Sequence, residues 1–332
     1  MQKQTDIKIE TLLTALSKLF HANIIRADYK MKQLHGGTVG DVQLVTGTAE
    51  TAEGALLPYK VVLKIQKKWE RQGDPHSWRR EYDLYASDLS SYFTDSLRWP
   101  TCYHAELDCD ETRIWMEYID GVTAYDLTAE MLEHAALELG RFQGKLYAEK
   151  PDAWQRMGNL SKAEDLKNYY LHCRSWSDVH AYIRSGDCEI PKHLRQMMVE
   201  LDDNADEVWC RIEKLPIVLC HRDFWVANIL YQDNKIALID WDTAGWGYMG
   251  EDVKNLIADE ADVNHMIENY QKCVPAYYRG FSEYADVSQI RDNCIPELIL
   301  VNLGHRLVRG YMADKKRIHV DILQKIYKMK HS

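Results

Sequence analysis

Two short apolar runs stand in the second half of this 332-residue chain, Ile217-Val218-Leu219-Cys220 and Lys235-Ile236-Ala237-Leu238-Ile239, where the pattern is otherwise helical. They bracket His221-Arg222-Asp223-Phe224-Trp225-Val226-Ala227-Asn228, and the second run leads directly into Asp240-Trp241-Asp242. Apolar runs this short suit buried strands better than helices, so the residues between them read as a loop. Asp223 precedes Asn228 by five residues, and a loop can turn both side chains into one cleft. Asp240, ending the next strand, adds another oxygen donor. Each of these residues alone is an ordinary turn former. Together they form the set that phosphoryl transfer needs, a carboxylate beside an attacking hydroxyl and oxygen ligands for magnesium.

The rest of the chain divides by periodicity. Residues 7–20 read as an amphipathic helix, and residues 24–66 as strands and turns, with strands expected at Val42–Val45 and Tyr59–Ile65. Between those strands, Thr46 to Pro58 reads as a hairpin connection. Asp74-Pro75 is expected to open a helix carrying Trp78, Glu81, Tyr82 and Tyr85. Strands at 102–107 and 112–118 follow. Past residue 120 helices fit 131–147, 162–184, 191–213, 262–277 and 288–311. The fold class expected is therefore α+β, with a small antiparallel-sheet lobe at 1–119 and a mainly helical lobe at 120–332.

Lys64 closes the run Val61-Val62-Leu63. An inward-facing ammonium there demands a carboxylate, because burying it unpaired costs several kcal/mol. Glu81 is the preferred partner and Glu70 the competitor.

The loop and Ile239-Asp240-Trp241-Asp242 resemble the aminoglycoside phosphotransferase and choline kinase family, relatives of the protein kinases. Most members of that family carry His-Gly-Asp where this chain has His221-Arg222-Asp223. Asp240-Trp241-Asp242 stands where a protein kinase has Asp-Phe-Gly, and no Ala-Pro-Glu segment follows, so a small-molecule acceptor is favoured over a protein. The resemblance implies a two-lobed, protein-kinase-like fold using ATP and Mg2+. It implies Asp223 as the catalytic base, Asn228 and Asp240 as metal ligands, and Lys64 with its partner Glu81 on the phosphates. Gly36, Gly37 and Gly40 occupy the phosphate-covering turn, although His35 stands where a first glycine belongs. The backbone of Glu117 and Ile119, in Ile114-Trp115-Met116-Glu117-Tyr118-Ile119-Asp120-Gly121, is the expected adenine contact. Gln143 replaces a histidine common in relatives and reads as core, while Asp252 reads as a brace for the catalytic loop. A kinase-like binding module without catalysis is the rival reading, and none of its expected lesions is present at Lys64, Asp223, Asn228 or Asp240.

Composition narrows the partners. Lys plus Arg number 41 against 51 Asp plus Glu, a net charge of −10, which gives no general attraction to nucleic acid. No run of eighteen apolar residues is present, so no membrane span is expected. The eight cysteines lack metal or redox spacing and read as free thiols of a cytoplasmic protein. Asp242 and Glu251 among Trp241, Trp246 and Tyr248 suggest a cationic acceptor such as an aminoglycoside, choline or ethanolamine, with a sugar-like metabolite as the alternative. The helical insert at 150–215 is expected to shape its pocket, while aromatic residues there at helical spacing, including Trp154, Tyr170 and Trp209, read more readily as core than as a ligand cage.

Overall fold

The computed structural model describes residues 7–34, 40–70, 74–149, 159–258, 263–288 and 294–332. Its first half is a six-stranded antiparallel sheet built from β1 (Ile24–Ala27), β2 (Lys30–Gln33), β3 (Asp41–Thr51), β4 (Leu56–Lys67), β6 (Cys102–Leu107) and β7 (Glu111–Glu117). The strand order is β1-β3-β4-β7-β6, with β2 also paired to β3. Side chains alternate across a strand, and β4 uses both faces. Val61, Leu63 and Ile65 pack with Val45 and Trp115 beneath α1 (Ile9–Phe20). Val62 joins Ile114 and Met116 on the other face, against Tyr82 and Tyr85. Lys64 and Gln66 share that second face by the same alternation.

The hairpin is longer than its residue types suggest. Pairing of β3 with β4 runs from Asp41↔Ile65 to Glu50↔Leu56, which takes in most of the expected connection. Pro58 is tolerated because β4 has one neighbour there, β7 pairing only from Val61 onward. The helix α2 (Ser77–Tyr85) begins after Asp74-Pro75 instead of on it. Asp74 is drawn away by Arg80, whose Nη2 donates to both of its carboxylate oxygens at 2.9 and 2.7 Å.

The second half is mainly helical. It contains α3 (Ala129–Glu149), α4 (Glu164–Arg174), α5 (Ser177–Arg184), α6 (Lys192–Asp203), α7 (Ala205–Ile212), α8 (Glu251–Ile257), α9 (Met266–Ser282), α10 (Ile295–Asp314) and α11 (Arg317–Lys330). Two segments expected as single helices are each broken in two. Extended backbone at Trp176 separates α4 from α5, and the Ser175 hydroxyl donates back to the His172 carbonyl. Asn204, outside helical geometry at ψ 25°, separates α6 from α7.

Short strands thread this half. β5 (Leu97–Arg98), β11 (Lys235–Leu238), β10 (Ile229–Gln232) and β8 (Val122–Thr123) lie side by side in that order, and β9 (Ile217–Cys220) pairs with β12 (Gly245–Tyr248). Helices α3 and α9 cross backbone to backbone: a Cβ at Gly140 would lie 2.1 Å from the Tyr277 carbonyl oxygen, and one at Gly280 2.1 Å from that of Leu137. No helix among the described residues is long and apolar enough to cross a membrane.

A buried polar knot ties α5, α6 and α10 together. His305 Nε2 lies 2.9 Å from Asp202 Oδ1, and His180 Nδ1 lies 3.1 Å from Asp202 Oδ2. Arg184 approaches the same carboxylate at 3.5 Å and Arg174 at 4.0 Å. Two guanidinium groups beside one aspartate make this an ionic knot and disfavour a metal cation there. Burial alone would raise the Asp202 carboxyl, but His305, His180 and Arg184 hold it below its ordinary 3.8. Such a group stabilises the native state above its unfolded pKa and loses that contribution as pH falls through its native value. Asp202→Asn is expected to cost about 3 kcal/mol in urea unfolding at pH 7, and the gap to wild type should narrow as the pH is taken below the ordinary 3.8.

Candidate active site

The end of β9 delivers His221-Arg222-Asp223, and a short helical turn at Val226–Asn228 returns the chain into β10. The Asn228 amide nitrogen donates to Asp223 Oδ2 at 2.8 Å and to the Asp223 carbonyl at 2.9 Å. Those bonds aim the Asn228 amide oxygen away from Asp223. The Ile239 amide donates to the Asn228 carbonyl at 3.1 Å, which places Asp240 beside Asn228. The hard oxygen donors of Asn228 and Asp240 are suited to magnesium. Asp240 itself adopts a left-handed conformation, φ 66°.

Lys64 joins this loop to the sheet. Its Nζ lies 2.5 Å from Glu81 Oε2 on α2 and 2.5 Å from Asp240 Oδ1, and only 7% of the residue is exposed. Burial alone would lower the Lys64 ammonium, but Asp240 and Glu81, with Asp242 behind them, hold it well above its usual range. Glu81 is therefore the partner, and Glu70 is exposed. The Trp241 backbone N–H also donates to the Glu81 carboxylate. Behind the cluster, Gln66 donates to Asp242 Oδ2 at 3.0 Å, and Arg80 Nη1 donates to the Asp242 carbonyl at 2.6 Å. Neither was singled out in the sequence. Strand alternation from Lys64 points to Gln66; nothing local marks Arg80.

The catalytic-loop backbone hangs from Asp252, at the start of α8. Asp252 accepts from the amides of His221 at 2.8 Å and Arg222 at 2.7 Å, and from Gln143 Nε2 at 2.9 Å. Burial pushes its carboxyl up to about 6 despite those donors. Gln143 also donates to the Leu219 carbonyl at 2.9 Å and accepts from the Tyr277 hydroxyl at 2.6 Å. Burial lowers His221 to about 4, so its neutral ring donates from Nε2 to the Ile239 carbonyl at 2.9 Å.

Of the other expected nucleotide contacts, Gly40 precedes β3 beside Lys64, and a Cβ there would meet nothing closer than 3.4 Å. Gly36 and Gly37 lie outside the described residues. The Glu117 carboxylate is taken by Arg98, at 2.5 and 2.9 Å, and by the Thr101 amide at 3.0 Å, leaving its backbone as the candidate contact. Glu117 and Ile119 border a cavity of about 470 Å³ that neither Lys64 nor Asp240 lines.

The acceptor side departs from expectation. Asp242 and Glu251 are 3% and 4% exposed, and Glu251 accepts from the Tyr248 amide at 2.8 Å. Trp241 and Tyr248 are buried as well, so these groups do not make a cation-attracting cleft mouth. Tyr170 and Trp209 belong to the core, and Trp154 lies outside the described residues. A cavity of about 250 Å³ opens instead at Asp223, lined by Trp225, Lys254, Asn255, Ala258, Ile299, Asn302, Leu303 and Arg306.

The phosphotransferase enzyme family model, APH, matches residues 51–283. The chain belongs to that family. Among solved structures, a choline kinase from Cryptosporidium parvum Iowa II matches with a TM-score of 0.56 at 16% identity, covering 91% of this chain and 89% of that one. The amicoumacin kinase hAmiN, solved with AMP-PNP, Ca2+ and Ami, matches at 0.54 and 12% identity, covering 98% and 94%. These likenesses establish a shared kinase-like fold. No curated protein matches the chain.

The phosphotransferase fold also explains the glycine that most members carry between the histidine and the aspartate. Arg222 occupies that place at φ 66°, which disfavours a side chain by about 1 kcal/mol. Its guanidinium compensates by donating to the carbonyls of Lys162 at 2.5 Å and Trp246 at 2.8 Å. Arg222→Ala keeps the strain and loses the bonds, whereas Arg222→Gly loses both. Urea unfolding should rank wild type above the Gly variant, and the Gly variant above the Ala variant by about 1 kcal/mol.

Proposed function

We propose that this phosphotransferase is an ATP- and magnesium-dependent small-molecule kinase whose acceptor hydroxyl is deprotonated by Asp223. The observation that carries the reading is the junction of Lys64, Glu81 and Asp240 at 2.5 Å contacts, next to a loop whose Asn228 is bonded to Asp223. The nucleotide belongs between the sheet lobe, 1–119, and the helical lobe, 120–332. Backbone groups of Glu117 and Ile119 would meet the adenine edge, with Gly36, Gly37 and Gly40 over the phosphates. Lys64 would hold phosphate oxygens, with Glu81 keeping it charged and aimed. Asn228 and Asp240 would hold magnesium, which would supply positive charge to neutralise the phosphate oxygens. As the acceptor oxygen bonds to the γ-phosphorus, its proton passes to the Asp223 carboxylate. The bond from that phosphorus to the β-phosphate oxygen breaks and ADP leaves. Positioning and charge compensation supply most of the acceleration. The eight cysteines, none of them in a disulfide, suit the reducing cytoplasm, where ATP is available.

Asp223→Asn should lower kcat by roughly 10²-fold or more, with nucleotide affinity retained in calorimetry. Turnover near wild type would remove Asp223 from the base role. Magnesium should tighten nucleotide binding in the wild type, and Asp240→Ala should largely erase that gain. An unchanged magnesium effect would exclude Asp240 as a ligand.

A further inference from the structure

The cavity at Asp223 has a charge pattern of its own. Among the described residues lining it, Asp223 is the one acid, while Lys254 and Arg306 are cationic and Asn255 and Asn302 are neutral amides. Ile299, Asn302, Leu303 and Arg306 recur at helical spacing, so one face of α10 supplies an apolar floor, an amide and a guanidinium in sequence. Lys254 is buried and donates to Asn255 Oδ1 at 2.8 Å, and burial lowers its ammonium below the ordinary range despite the neighbouring Glu251 and Asp252. Arg306 is exposed and hydrogen-bonds the side chain of Tyr169, whose hydroxyl burial pushes up.

We propose that the acceptor of this kinase carries an anionic group, a carboxylate or a phosphate, which Arg306 receives with Asn302 beside it while Asp223 takes the hydroxyl. This rests on the reading of Asp223 as the base. An ammonium placed in the same cavity would face the Arg306 guanidinium and compete for Asp223, the carboxylate that the reaction needs. A guanidinium instead offers a planar pair of donors to a carboxylate or phosphate. Size points the same way. The cavity, about 250 Å³, lies below the ~300–1,000 Å³ typical of drug-sized ligands. It fits a small hydroxy acid or a short sugar phosphate, and leaves little room for a multi-ring aminocyclitol.

The test is an ADP-release assay with ATP and magnesium over matched sets: small hydroxy acids, their uncharged amides, the corresponding amino alcohols, and sugar phosphates beside their free sugars. The acid or phosphate member should exceed its neutral partner at least tenfold in kcat/KM, and which arm responds identifies the anion. Arg306→Gln should raise KM for that acceptor about tenfold with little change in kcat. Arg306→Glu should move the preference toward the amino alcohol, a reversal that misfolding cannot mimic. A neutral or amine acceptor used as well as the anion, with turnover abolished by Asp223→Asn, would overturn the anionic site and leave the kinase reading standing. If no compound is turned over, anions that inhibit basal ATP hydrolysis no better than their amides likewise overturn it. Absence of nucleotide binding in calorimetry would mark failure of the kinase reading itself, and the anionic site falls with it.

Discussion

The ammonium of Lys64, buried between two carboxylates, is the contact on which the rest of the arrangement depends. It joins three elements far apart in sequence: strand β4, helix α2 through Glu81, and the loop after β11 through Asp240. A buried ion cannot drift from its partners without a desolvation cost of several kcal/mol, so the cluster fixes where the sheet sits over the helical half. Gln66 and Arg80 extend the same junction to Asp242. The sheet is thus anchored at the place where phosphate and metal would be handled.

A second buried carboxylate organises the other wall. Asp252 holds the backbone of His221 and Arg222, and Gln143 ties it to α3 and α9. Strain is spent around this wall, at Arg222 and Asp240, both with φ 66°. Left-handed geometry at non-glycine residues persists only when the surroundings over-determine it. The donors around Arg222 and the salt bridge of Asp240 do so. Rigid placement of Asp223 and Asp240 follows from those contacts, and rigid placement is most of what phosphoryl transfer asks of a protein.

The acceptor side follows a different logic. Carboxylates that look available in the sequence, Asp242 and Glu251, are used to hold the protein together. The groups that line the cavity come from α8 and α10, whose relation to Asp223 no local pattern announces. Net charge therefore does not say which groups line the cavity. Net charge is a property of the whole chain, whereas recognition depends on the few groups within a Debye length of the ligand and shielded from water.

The main strands of the first half, most of the long helices, the α+β class and the pairing of Lys64 with Glu81 were legible because each follows from local chemistry. Alternation buries Lys64, burial demands an acid, and the spacing of Asp223 from Asn228 fits one loop. Helix breaks at Trp176 and Asn204 and the full length of the β3–β4 hairpin were not legible, since pairing and packing override weak local preferences there. The sequence by itself determined which charged groups must find partners, because an unpaired buried charge is too costly to tolerate anywhere. Only the tertiary structure decided which acids are spent on that pairing and which one stands in the cavity beside Arg306, because burial and neighbours depend on contacts across the whole chain.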